Sequence, residues 1–261
     1  MRIATVGDNC MDVYVNLGNR AFPGGNPVNV AVYLARLGEH PSYLGVVGDD
    51  EHGVRLREAV AAKGVDVSRV RTLPGKTAVS TIKLVEGQRV FGDYEEGVMA
   101  DFRLDEEDRA FLRGFDLVHT GIWGMVERDL PELHRRGPLI SFDFADKYDH
   151  EILGIALPHV DYAFFAAEED TPFVRDLIRR AQARGPRVAV ATLGANGSLA
   201  WDGKEFTPFG IVPVEVVDNM GAGDSYIAGF MRGVLLGEPL ARCMALGAEN
   251  ASVTLTTLGA W

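Results

Sequence analysis

Residues 218–230 read DNMGAGDSYIAGF. Two glycines, Gly221 and Gly223, flank Ala222, and a carboxylate, Asp224, follows directly. Downstream, Ile227, Phe230, Met231, Val234 and Leu235 fall at helical spacing, which predicts an amphipathic helix with Asp224 in its first turn. The first turn of a helix carries amides with no intrahelical acceptor, and together with the helix dipole they make a site for an anion. Gly221, Ala222 and Gly223 are the expected donors, and the glycines also admit positive φ and let a bulky group approach the main chain. An Asp at this place commonly does no more than compensate the dipole. Beside an anion site, though, a carboxylate is also what phosphoryl transfer to an alcohol requires: a base for the hydroxyl proton and donors for the charge on the group in flight.

Elements able to position such a turn are legible along the chain. Short β-rich runs at Arg2 to Val6, Ser42 to Val47, Asp116 to His119, Leu139 to Phe142, Val160 to Phe164 and Arg187 to Thr192 alternate with helical patterns, which predicts an α/β fold on a mainly parallel sheet. Asn26 is the expected cap of a helix that has Pro27 at its first position and Gly38 at its end. A second helix begins at Asp105 and stops at Gly114, and a third runs from about Asp170 to Arg184, closed by Gly185-Pro186. One segment breaks the rhythm: Thr77 to Val85 and Arg89 to Tyr94 read as two strands joined by Glu86-Gly87-Gln88, a hairpin where a crossover helix would otherwise lie. Such an insert is either a lid or a plain edge hairpin.

Composition narrows the function classes. A chain of 261 residues, 47% of them hydrophobic, can bury a large core and fits one domain. A formal charge of -11 argues against nucleic-acid or anionic-membrane partners, while a local basic pocket could still hold a phosphorylated ligand. Two cysteines, Cys10 and Cys243, suggest neither a disulfide framework nor a zinc cluster, so a reducing cytoplasm is expected. The opening MRIATVGDNC enters a strand-like run with no signal segment ahead of it, and no apolar run reaches membrane-spanning length.

The turn at 218–230 resembles the C-terminal signature D-T-x-G-A-G-D of the ribokinase-like (PfkB) carbohydrate kinases. The family's N-terminal signature is matched at PGGNPVNVA, residues 23–31, followed by GVVGDD at 45–50 and Gly53. Gly7 through Asp12 resembles the first substrate loop, and TLGANG at 192–197 resembles the nucleotide-side loop. The resemblance covers nearly the whole chain in order. It implies a three-layer α/β/α sandwich formed by residues 1–261 as a single domain, with a small β lid from about 11–16 and 77–96, and an ATP-dependent kinase acting on a primary hydroxyl of a sugar. Asp224 would be the base, and Gly221, Ala222 and Gly223 the hole for the migrating phosphoryl group. Asp12 and Asn29, with the backbone at Gly24 and Gly25, would hold acceptor hydroxyls. Thr192, Gly194 and Gly197 would line the nucleotide, with Asn250 near the adenine. Since lids of this family often pair between subunits, a homodimer through the lid is a further implication. The runs GDNCMD, FGDYEEGVMADF, HTGIWG and GAW resemble the branch of the family that acts on fructoselysine. In that case Arg89, Asp93, Glu95 and Glu96, on or after the hairpin, are candidates to meet the amino-acid end of the acceptor.

Departures and decoys matter as well. Asn219 stands where the signature has Thr, and Ala166 occupies the Asn position of the family's Asn-x-x-Glu pattern ahead of Glu169. Magnesium is therefore expected on the ATP phosphates and water, with no protein metal site. Lys147 follows Asp143 where some relatives carry an Arg. Gly75-Lys76-Thr77 mimics the end of a P-loop but lacks its first glycine, and Gly7-Asp8-Asn9-Cys10 lacks the dinucleotide-binding spacing. The six histidines show no paired ligand spacing and are read as surface or core residues. Another ketose or a nucleoside as acceptor, or a silent sugar-binding protein on this scaffold, are the alternatives; two glycines and an intact Asp224 weigh against silence.

Overall fold

Strand and helix alternate from the first residues onward. The structure is a computed structural model that describes residues 1–85, 88–135 and 137–261, with backbone only at 88 and 89. In chain order the elements are β1 (Ile3–Val6), β2 (Cys10–Tyr14), β3 (Arg20–Gly24), α1 (Asn26–Arg36), β4 (Ser42–Gly48), α2 (Glu51–Ala62), β5 (Asp66–Leu73), β6 (Val79–Val85) and β7 (Gln88–Glu95). There follow α3 (Glu106–Leu112), β8 (Leu117–Gly121), α4 (Leu130–Arg135), β9 (Leu139–Asp143), α5 (Ile152–Ala156), β10 (Tyr162–Ala166) and α6 (Pro172–Gln182). The chain then forms β11 (Val188–Thr192), β12 (Ser198–Trp201), β13 (Phe206–Phe209), α7 (Ala222–Leu235) and α8 (Leu240–Thr254).

The larger sheet has the order β13-β12-β11-β10-β9-β8-β1-β4-β5. Every pairing from β11 to β5 is parallel, and β12 and β13 add antiparallel strands at one edge. All six expected core strands are present, each within two residues of its expected start. Their near-continuous apolar runs follow from burial on both faces. Along β10 the period of two is visible: Ala163 and Phe165 pack with Leu177 and Ile178 of α6, while Phe164 packs on the other face against Phe230 of α7, ring centroids 5.3 Å apart. Helices α1, α7 and α8 cover that second face, completing three layers.

Helix boundaries follow their caps. Asp105 accepts from the Asp108 amide, and the Asp108 side chain accepts from the Asp105 amide, a reciprocal capping box at α3. Helix α6 is shorter than the expected Asp170 to Arg184, because Thr171 caps it by accepting from Val174 N–H and Pro172 fixes its first turn. The cap expected at Asn26 needs correction. Gly25, at φ 110°, precedes the helix, no side chain caps it, and Asn26 is the first helical residue with its amide turned elsewhere.

A second sheet, ordered β3-β2-β6-β7, stands apart from the first. The expected hairpin is β6 with β7, paired antiparallel, and its connection at 86 and 87 lies outside the described residues. β6 runs parallel to β2, and β3 pairs antiparallel with β2 from Cys10↔Gly24 to Tyr14↔Arg20. This sheet thus extends beyond 11–16 and 77–96 to include Arg20–Gly24, a strand the sequence hides behind Pro23 and a paired glycine. Among the described residues, no helix is long and apolar enough to cross a membrane, and Cys10 and Cys243 are free thiols.

Candidate active site

The turn before α7 is built around Gly221, which caps the helix at φ 71°. A Cβ there would lie 2.2 Å from the Tyr33 hydroxyl oxygen, so neither the conformation nor the space admits a side chain. Asp218 braces the turn, accepting from Met220 N–H at 3.2 Å and from Gly259 N–H at 2.9 Å. Of the three amides expected to be bare, that of Ala222 is turned back onto the Asn219 carbonyl at 3.3 Å, because the tight αL cap folds the chain on itself. Gly223 opens onto free space: a Cβ there would meet nothing within 4 Å.

Asp224 lies just inside this first turn, and its oxygens take amides in place of a cation. Asn26 Nδ2 donates to Oδ1 and Asn29 Nδ2 donates to Oδ2, both at 2.7 Å. Asn29 is in turn held by Trp261, whose indole Nε1–H donates to Asn29 Oδ1 at 2.9 Å. Asn29 therefore orients Asp224. Desolvation pushes the Asp224 carboxyl up to about 6, and the bonds from Asn29 and Asn26 pull the other way.

Beside it the loop after β1 and the second sheet bring further acids. Asp12 on β2 is buried, and Gly24 opposite makes room for it: a Cβ at Gly24 would lie 2.3 Å from Asp12 Oδ2. Gly25 is equally required, since a Cβ would come within 2.7 Å of the Asp8 carbonyl. The Arg89 side chain lies outside the described residues.

On the far side of the α7 N-terminus is a cleft of about 440 Å³. Thr192, Gly194 and Gly197 line it together with Ala222 and Gly223 of the helix end, so the cleft and the acid crevice around Asp224 meet at one helix end. Asn250 does not reach it. On α8 the residues Ala248, Ala251, Ser252 and Leu255 face the cleft. Asn250 falls on the opposite stripe, donating to the Ser225 carbonyl at 2.8 Å and accepting from Arg36 Nη2 at 2.7 Å.

The sequence profile of the pfkB family carbohydrate kinases matches residues 13–133 and 144–261. The chain belongs to this family. Among relatives of this carbohydrate kinase, fructoselysine 6-kinase of Shigella flexneri is 48% identical over 259 residues, covering 99% of each chain. Fructosamine kinase FrlD of Bacillus subtilis (strain 168) is 33% identical over 266 residues, covering 100% of this chain and 93% of the relative. In fold, the kinase superposes on Arabidopsis thaliana ribokinase complexed with ribose and ATP with a TM-score of 0.87, at 20% identity, covering 99% and 93% of the two chains.

Four side chains of the kinase stand in the site that motif reading did not single out. Asp8 accepts the Asn26 backbone N–H through Oδ2 at 3.2 Å, while its buried Oδ1 has no hydrogen-bond partner among the described residues. Asp143, at the end of β9, accepts from Asn26 Nδ2 at 2.9 Å. Desolvation above all pushes Asp8 and Asp143 each up to about 7, with Asp224 as an added repulsion on both. Asn26, expected as a cap, uses its side chain here, and His119 meets it from β8 at 2.9 Å. The signal that could have found Asp8, His119 and Asp143 is topological: all lie at or near the carboxyl ends of parallel strands, where open α/β sheets bind their ligands.

Proposed function

We propose that the protein is an ATP-dependent kinase that transfers the γ-phosphoryl group to the 6-hydroxyl of fructoselysine, yielding fructoselysine 6-phosphate and ADP. The observation that carries this reading is the position of Asp224, on the helix end shared by the cleft and the acid crevice. Asp224 takes the hydroxyl proton as the oxygen–phosphorus bond forms and the bond to the ADP oxygen breaks. The unpaired first-turn amides around Gly221 and Gly223 meet the charge on the group in flight. Asp12, the second hydrogen of the Asn29 amide, the free oxygen of Asp8 and the backbone at Gly24 and Gly25 hold the acceptor hydroxyls. ATP occupies the cleft along Thr192, Gly194 and Gly197. Mg²⁺ comes with ATP, held by the phosphates and water.

Residues 1–261 act as one domain with the second sheet as lid, and closing it excludes water as a competing acceptor. The charges of Arg89, Asp93, Glu95 and Glu96 meet the amino-acid end of fructoselysine. Val85, Val90, Phe91 and Tyr94 are exposed apolar side chains of the lid strands, which favours pairing of two lids in a homodimer. Two free thiols and the need for ATP favour the cytoplasm.

The test is a coupled ADP-release assay with ATP, magnesium and a panel of fructoselysine, fructose, other glycated amino acids and nucleosides. Asp224→Asn should keep the fold and lower turnover on fructoselysine by about 10² to 10⁴-fold. Near-normal turnover in that variant would refute the role of Asp224.

A further inference from the structure

Behind Asp224 runs a buried chain of polar groups. His119 and Ser141 are fully buried on the adjacent strands β8 and β9. Ser141 Oγ lies 3.0 Å from His119 Nδ1, and His119 Nε2 lies 2.9 Å from Asn26 Oδ1. From the other end of the same amide, Nδ2 reaches Asp143 Oδ2 at 2.9 Å and Asp224 Oδ1 at 2.7 Å.

The direction of every hydrogen in this chain follows from chemistry. When both are ionised, the two carboxylates are met by the NH₂ end of Asn26, and both of its hydrogens are used on them. The carbonyl end is then an acceptor, so the hydrogen between it and the ring must sit on His119 Nε2. That leaves Nδ1 with a lone pair, and the Ser141 hydroxyl donates to it. Gly121, two residues beyond His119, is part of the arrangement: a Cβ there would lie 2.8 Å from Asn26 Oδ1.

We infer that His119, as the Nε2–H tautomer with Ser141 donating to its Nδ1, is a positioning residue that locks the Asn26 amide so that its two hydrogens face Asp143 and Asp224. Turned the other way, the amide would set its oxygen against two carboxylates and its hydrogens against the ring N–H. Asp224 would then keep only the Asn29 donor and would hold its proton to higher pH, which disables it as a base near neutrality. Burial holds the imidazole far below its ordinary value, at about 3, so the lock stays neutral while the acids titrate. The charged groups that face Asp224 from surrounding elements are Asp8 after β1 and Asp143 at the end of β9; Asp8 has Asp12 and Cys10 of β2 and Tyr94 of β7 around it, and Asp143 has Asp146 beside it. Arg36 of α1 reaches the neighbouring Ser225 hydroxyl at 2.9 Å. None of these is altered by substitution at 119.

The inference rests on Asp224 acting as the base, and the experiment separates the two. The pH profile of kcat on fructoselysine is measured for the unaltered kinase, His119→Phe and His119→Gln. The Phe variant, with no donor, should move its acid limb up by about one pH unit, the worth of one hydrogen bond, and so lose about twofold in kcat at pH 7 and about tenfold at pH 5, with KM for ATP unchanged. Gln keeps an N–H near the Nε2 position and should bring the limb back. An acid limb unmoved in His119→Phe, with only the melting temperature lowered, would overturn the lock while Asp224→Asn still reports the base. Near-normal turnover in Asp224→Asn would instead remove the reading beneath it. Should the Phe variant fail to fold, ¹⁵N-imidazole spectra of the unaltered protein decide: a non-titrating Nε2–H tautomer between pH 5 and 8 supports the lock, and an Nδ1–H tautomer overturns it.

Discussion

Asp8→Asn should make the folded chain more resistant to unfolding, by a wider margin at pH 8 than at pH 5. The side chain is a clean target, since Oδ2 keeps its bond from the Asn26 backbone N–H and only the unpartnered Oδ1 is replaced by an NH₂ group. Burial, aided by the charges of Asp224 and Asp12, pushes the carboxyl from 3.8 up to about 7. A carboxyl whose folded-state pKa lies above its unfolded value is held protonated more tightly by the folded chain. The associated stability is complete at low pH and is lost as the pH rises from 3.8 through about 7. At 1.36 kcal/mol per pH unit, the two units between pH 5 and pH 7 amount to about 2 to 3 kcal/mol lost by the unaltered protein and not by the variant. Asp143 and Asp224 shift in the same direction, so the unaltered protein and the variant both weaken with pH, and the informative quantity is the gap between them. Urea unfolding at pH 5 and pH 8 measures it, read through midpoints at constant m. A gap equal at the two pH values would refute the reasoning, because it would mean that Asp8 is ionised in the folded chain throughout.

Two further outcomes concern residues whose expected roles the structure alters or leaves to substrate. Asn250→Ala removes buried bonds to Ser225 and Arg36, so it should cost about 1 to 3 kcal/mol in urea unfolding while leaving KM for ATP within about twofold. A selective rise in KM for ATP at full stability would return Asn250 to the nucleotide. Asp93→Asn with Glu95→Gln on the lid should lower kcat/KM for fructoselysine about tenfold and leave fructose unchanged, as expected for the loss of charged contacts to one end of the acceptor. Equal loss on both acceptors would assign those charges to solvent.

The parallel core was legible because burial on both faces writes itself as short runs such as ISFD and YAFFA. β5 was not, since its sequence DVSRVRTL alternates charge with half-buried residues on an exposed edge. The helix end bearing Asp224 was legible because two glycines and an acid leave few other readings. Its surroundings were less so. Asn26 before Pro27 has every local mark of a cap, and only the distant approach of β8 and α7 turns its amide inward. His119 has no partner within reach in sequence, Asn26 being 93 residues away, so spacing alone could not reveal it. Asn250 lies off the cleft because helical phase, invisible in a single polar residue, turns it away.

The indole of Trp261 steadies Asn29 across 232 residues of chain. One of the two amides that aim Asp224 thus takes its own anchor from the far end of the fold, so the setting of that carboxylate depends on tertiary closure and on no local segment alone.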